Sequence, residues 1–208
     1  MKQLFFLVLL LSTAAQASLI DRLSGRTAKF DSKYPHSIIE NLSAQKQENT
    51  QWCWAAVARM MMSSKTSNLP SQCEIVSQTF DTDCCTKESV KCNQPYYPER
   101  ALTKFGYKFN IGKAKIYPDR HWSERVDNKG WYLSVIEQIK NGTPVGIGRY
   151  NNAGSMDGSA HIVLAYGTFQ KKGKDYLMIF DPWEGITKVW DESYVTGFMA
   201  WTGTITLE

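Results

Sequence analysis

The chain has 208 residues, 43% of them hydrophobic and 12% aromatic, which is enough apolar material for the core of one compact domain and too much for a disordered chain. A formal net charge of +4, with no Lys/Arg run longer than the Lys171–Lys172 pair, is too weak a basic signature to make nucleic acid a partner. Chain order begins with an export signal. Lys2 supplies a positive start, Leu4 to Leu11 an apolar stretch, and Ala15-Gln16-Ala17 a small-x-small cleavage pattern. The apolar stretch is too short to span a bilayer. Residues 1–17 are therefore expected to be a Sec-type signal peptide cut after Ala17, leaving a secreted or periplasmic chain with no stable membrane insertion.

Ser18 to about Pro35 is polar and patternless and reads as an N-terminal arm or short leader; residues 36–208 read as one domain. His36 to Leu42 is a candidate short strand. From Cys53 to Met62 the residues Ala55, Ala56, Ala58, Arg59 and Met60–Met62 are strong helix formers uninterrupted by Pro or Gly, and Asn49, Thr50 and Gln51 stand where polar residues begin a helix. Cys53 is thereby placed in a first helical turn. Ser67 to Pro98 reads as irregular. Trp131 to Lys140 has helical apolar spacing and stops at Asn141-Gly142. Pro144 to Tyr150 reads as a strand, followed by a Gly/Asn/Ser loop. His161 to Phe169 and Asp175 to Phe180 are apolar runs around a Gly-containing turn, which predicts a hairpin. Thr187 to Trp190 and Gly197 to Leu207 look like further strands. Helices early and strands late predict an α+β domain.

The five cysteines divide four to one. Cys73, Cys84, Cys85 and Cys92 fall within twenty residues, and Cys53 stands apart. In an exported chain the four are expected to form two disulfides. Neighbours Cys84 and Cys85 are poorly placed to bond each other, so the pairing is Cys73–Cys84 with Cys85–Cys92, or Cys73–Cys85 with Cys84–Cys92. Zinc is the competing use of such a cluster, and it lacks a Cys-x-x-Cys pair. No metal or other cofactor is expected.

The unpaired Cys53 sits between Trp52 and Trp54. A thiol at a helix N-terminus meets the positive end of the helix dipole and free N–H groups, which favour the nucleophilic thiolate. Such a nucleophile needs a base that later protonates the leaving group. Of the three histidines, His36 lies by the N-terminal arm and His121 in a charged stretch, whereas His161 opens an apolar strand. Asp181 directly follows the partner strand. His161 and Asp181 are symmetric about residue 171, near the tip of the predicted hairpin, so both fall at its open end, where Asp181 can orient the imidazole.

These residues resemble the papain-like cysteine proteases, particularly a bacterial group typified by a plant-pathogen avirulence effector. The likeness rests on Trp52-Cys53-Trp54-Ala55-Ala56, on His161-Ile162-Val163-Leu164, and on Asp181-Pro182-Trp183, in that order. The resemblance implies a papain-like fold, with a helical part carrying the cysteine and an antiparallel β part carrying the histidine and aspartate. It implies peptide-bond hydrolysis by Cys53, His161 and Asp181. It also implies an oxyanion donor six residues before the nucleophile, where Gln47 stands, with Gln45 and Gln51 nearby. Trp183 resembles the Trp that shields the histidine–orienter bond in that family. The expected partner is a protein or peptide substrate and the expected state a monomer. A peptidoglycan amidase or endopeptidase shares the same chemistry, and an inactive papain-like binding module is a third possibility; the intact Cys53, His161 and Asp181 set disfavours the last. The departures from the effector group are the Sec signal and the cysteine cluster, so its host-cell substrate does not carry over.

Overall fold

The computed structural model describes residues 30–86, 89–113, 128–150, 160–192 and 201–208. The predicted signal peptide, most of the predicted arm and His121 lie outside them. Among the described residues there are four helices and seven strands: β1 (His36–Ile38), α1 (Cys53–Ser63), α2 (Gln72–Phe80), α3 (Pro98–Lys104), β2 (Phe109–Lys113), α4 (Asn128–Lys140), β3 (Val145–Tyr150), β4 (Ala160–Lys171), β5 (Lys174–Asp181), β6 (Ile186–Asp191) and β7 (Trp201–Leu207).

The helical layer is built on α1. Its sequence is apolar around nearly the whole circumference, which suits a helix enclosed on all sides, and Trp54, Met60, Met61 and Met62 are fully buried. Each such side chain is worth roughly 1.5–3 kcal/mol relative to exposure. Helices α2 and α3 pack against α1. Helix α2 replaces part of the stretch expected to be irregular. Its start is a reciprocal capping box, in which Ser71 Oγ accepts from Glu74 N and the Glu74 carboxylate accepts from Ser71 N. Helix α3 begins with Pro98 in its first turn, where a missing N–H costs nothing.

The strands form one antiparallel sheet in the order β2-β7-β3-β4-β5-β6, with β1 also paired to β4. Along one edge of β4, β3 covers Ala160 to Ala165 and β1 continues over Gly167 to Phe169. The hairpin between β4 and β5 turns on Lys172 and Gly173, with φ of 52° and 73°. Two successive positive φ values make the two-residue turn whose twist matches that of the strands. Lys171 pairs with Lys174, and the register then shifts by one residue between Ala165 and Gly167, so that Leu164 pairs with Phe180.

Alternation along the strands gives the sheet two apolar faces. Leu164, Phe180, Ile205 and Leu207 join α1 in one core. Val145, Ile147, Val163, Ala165, Leu177, Ile179 and Trp190 join Tyr132, Val135, Ile136 and Ile139 of α4 in another. At Gly146 a Cβ would stand 2.5 Å from Ile205 Cγ2 of the neighbouring β7 and 3.4 Å from Met61 Sδ of α1. Phe30 and Tyr34, at the end of the predicted arm, dock on Phe169 of β4; their aromatic rings give this end of the arm a binding face that its polar composition hides.

Candidate active site

Residues 47–52 deliver Cys53 to the sheet. Trp52 is the N-cap of α1 and its side chain makes no capping bond. The turn before the helix is held by Trp52 N donating to Asn49 O and Thr50 N donating to Asn49 Oδ1. The helical ladder starts with Ala56 N donating to Trp52 O, so the N–H groups of Cys53, Trp54 and Ala55 precede it and point out of the helix end. Cys53 is half-buried and is the free cysteine. The other four form Cys73–Cys85 and Cys84–Cys92, one of the two pairings the sequence left open.

These disulfides brace the start of α1 at Cys53. Cys84–Cys92 ties the segment after Lys91 back toward α2, and that segment receives both tryptophans flanking Cys53. Trp52 Nε1 donates to Cys92 O at 2.7 Å and Trp54 Nε1 to Gln94 O at 3.1 Å. Asn93 sits between them, accepting from Gln51 N and donating to Thr50 Oγ1. Each buried indole N–H thereby gains an acceptor that its burial requires.

The sheet supplies the other side. His161 is 8% exposed and Asp181 1% exposed, and the His161 Nε2–H donates to Asp181 Oδ1 at 2.7 Å. The opposite nitrogen of the ring is left for Cys53, whose sulfur interacts electrostatically with the imidazole. Burial by itself would hold the His161 pKa down; the bond to Asp181 and the negative charge that Asp181 and Cys53 set beside the ring outweigh it and raise the pKa above the usual histidine value. Burial likewise pushes the Asp181 carboxyl up, but the imidazole and a lysine ammonium hold it well below the usual carboxylate range. That lysine is Lys188 on β6, with Nζ 2.8 Å from Asp181 Oδ2. Trp183 N also donates to Asp181 Oδ1 at 3.0 Å.

Among the three glutamines near Cys53, Gln47 is the buried one. Its main-chain N–H donates to Pro182 O at 2.9 Å, joining the loop before Cys53 to the turn after Asp181. Its side-chain Nε2 donates to Asn49 O and Thr50 O, at 2.7 and 2.9 Å, and Oε1 is buried with no hydrogen-bond partner among the described residues. Gln45 instead bonds Glu48. Trp183 is 53% exposed, an open position for a ring expected to shield a buried pair. His36 pairs with Phe169 near the hairpin tip, roughly 25 Å along β4 from His161 at the usual strand rise. Lys188 was missed from sequence, because its approach to Asp181 depends on the β5–β6 register. Among the described residues no group of three or more His, Cys, Asp or Glu is placed to hold a metal ion.

Solved structures show the same fold at low identity. One described as a C39-like peptidase from Bacillus anthracis aligns with a TM-score of 0.53 and 12% identity, covering 84% of this chain and 98% of that one. A second, from a study of the mite allergens Blo t 1 and Der p 1, aligns with a TM-score of 0.52 and 12% identity, covering 91% of this chain and 77% of that one. The fold is papain-like, and the protein is a cysteine peptidase of that class. More narrowly, a family model described as the Peptidase_C39 like family matches residues 39–202, and the chain belongs to that family. No curated relative matches it.

Proposed function

We propose that the protein is an exported cysteine endopeptidase that hydrolyses peptide bonds with Cys53 as nucleophile, His161 as acid and base, and Asp181 as orienter of the imidazole. The observation that carries this reading is the bond from His161 to Asp181 at 2.7 Å, made by a ring that also interacts electrostatically with Cys53. In this mechanism the Cys53 sulfur attacks the substrate carbonyl carbon while the imidazole carries the thiol proton. Collapse of the tetrahedral intermediate breaks the C–N bond, and His161 passes that proton to the leaving amine. Water, deprotonated by His161, then cleaves the thioester, and the proton returns to the sulfur. The N–H groups at the start of α1 are donors for the oxyanion. Gln47 joins them by exchanging one of its bonds to Asn49 O or Thr50 O for the substrate oxygen.

Export is supported by the two disulfides, which persist in oxidising compartments; among the described residues no helix is long and apolar enough to cross a membrane. Within this reading residues 1–17 are the signal peptide, 18–35 an arm or leader and 36–208 the catalytic domain. The narrower likeness to avirulence-effector proteases rests on the Trp52–Ala56 block. The test incubates the purified protein, and its Cys53→Ala variant, with casein and with bacterial sacculi. Release of casein peptides by the unmodified protein alone, together with Cys53-dependent labelling by an epoxysuccinyl reagent, is the expected result. Cleavage of sacculi without casein would replace the endopeptidase with a peptidoglycan hydrolase. Neither cleavage nor labelling would leave a binding module.

A further inference from the structure

Asp181 stands between two cationic groups on three adjacent strands. Its Oδ1 faces His161 of β4, and its Oδ2 is 2.8 Å from Lys188 Nζ of β6. Lys188 is not a surface lysine that happens to reach inward, since its side chain is only 11% exposed. The register makes the contact unavoidable. Asp181 pairs with Ile186 and Ile179 with Lys188, so Lys188 lies two residues from the partner of Asp181 and on the same face. Glu184, 42% exposed, meets the same ammonium at 2.5 Å from the outer side.

Resting on the catalytic reading above, we propose that Lys188 is a positioning residue for the His161–Asp181 pair: its ammonium holds the buried carboxylate charged and in place, and so limits how tightly His161 keeps its proton. A buried carboxylate with the imidazole as its sole counter-ion binds the imidazolium strongly, and a histidine that grips its proton is a poor acid toward a leaving amine. A second cation on Oδ2 weakens that grip while keeping Oδ1 aimed at the ring. Glu184 moderates the ammonium in turn. Among the described residues, other charged or titratable groups on the elements packed here are Cys53 from α1 and Lys46, whose side chain runs beside Gly185; in the backbone register Arg149 of β3 pairs with His161.

The experiment measures the titration of the His161 ring by NMR in the full chain, alongside the pH profile of kcat/KM on casein, for Lys188→Met, Lys188→Arg and Glu184→Gln. Removing a positive charge this near should move the imidazole midpoint, and the alkaline limb of activity, upward by roughly one pH unit. Lys188→Arg should stay within a few tenths of a unit of the unmodified protein. Glu184→Gln, at a half-exposed site, should fold normally and shift both readouts downward. A limb that stays in place or falls in Lys188→Met overturns the proposal; should that variant not fold, an unmoved Glu184→Gln overturns it equally. A merely structural lysine would lower the melting temperature and leave both midpoints alone. His161→Ala separates this inference from the reading beneath it: retained casein cleavage there removes the catalytic assignment, whereas lost cleavage with unmoved midpoints in the other variants removes only the role of Lys188.

Discussion

His161 and Asp181 share a face of the sheet because β4 carries one extra residue between Ala165 and Gly167. From the hairpin tip to Gly167 the strands pair in one register, Lys171 with Lys174 and Gly167 with Met178; beyond it Ala165 pairs with Ile179 and Leu164 with Phe180. Continued without the shift, the first register would set Asp181 opposite Leu164 and turn His161 to the other face. With the shift, Asp181 falls opposite Val163, and His161, two residues further along, lies diagonally on the same side. The bulge at Tyr166 thus decides the contact.

Asp181 therefore holds two partners at once, and its substitutions should separate by what they leave behind. Asp181→Asn keeps an oxygen for the His161 N–H and loses the charge facing Lys188. Asp181→Ala abandons both and leaves the Lys188 ammonium to Glu184 alone, a defect worth about 1–3 kcal/mol. Casein turnover should fall in both and further in Asp181→Ala. Thermal melting should rank them in the same order, with the alanine variant lower by roughly 2–12 °C for a chain of this size.

Protonation gives a signed expectation. The His161 pKa is raised in the folded protein, so its charged-state bonds contribute fully below the ordinary histidine range and fade as pH climbs through the raised value. Asp181 is shifted the opposite way, so its contribution is in force above the ordinary carboxylate range and is lost only as pH falls through its depressed value. Activity should thus persist to higher pH than a histidine of ordinary affinity allows, and acid unfolding should lie below pH 4 as far as this pair controls it. A pH series of turnover and melting checks both limbs. An alkaline midpoint at or below about 6.5, the ordinary histidine value, would contradict the assignment of that limb to His161.

Gln47 offers a separation of kcat from KM. As an oxyanion donor it acts near the transition state, so Gln47→Ala should reduce kcat by about 10²–10³ with little change in KM. As a brace for Asn49 and Thr50 alone, its loss would disorder the loop, raise KM and lower the melting temperature together. Steady-state kinetics with a melting curve on one preparation distinguish the two.

The braces around the nucleophile should be unequal. Cys84→Ser with Cys92→Ser releases the segment that receives both indoles, whereas Cys73→Ser with Cys85→Ser opens a link one step removed. Each loss should cost about 2–5 kcal/mol of stability. The first pair should also shift tryptophan fluorescence and lower turnover more than the second. Equal activity in the two double variants would show that the Trp52 and Trp54 anchors do not frame Cys53.

The sequence shows its own structure unevenly. The nucleophile helix can be read because Ala55 to Met62 is an unbroken run of helix formers, and the hairpin because Gly173 marks the turn. Symmetry about residue 171 brought His161 and Asp181 to the correct end of that hairpin, but the bulge that sets their faces carries no mark of its own, since Tyr166 is an ordinary strand residue. Helix α2 did have a signature, Ser71 three residues before Glu74, masked by the cysteines inside and after it. The apolar moment of Trp131 to Lys140 found α4 but not its first turn, where Asn128 and Lys129 carry no apolar stripe. Lys188 had no local signal, because what makes it more than a strand lysine is a carboxylate seven residues away across a turn.

The Lys172–Gly173 turn lies at the far end of the β4–β5 hairpin from His161, and both of its residues face solvent. Exposed tips of this kind tolerate inserted sequence. The turn is therefore the natural handle on the molecule: an affinity tag, a fluorophore or a surface tether attached there leaves the opposite end of the sheet, where peptide would enter, unobstructed.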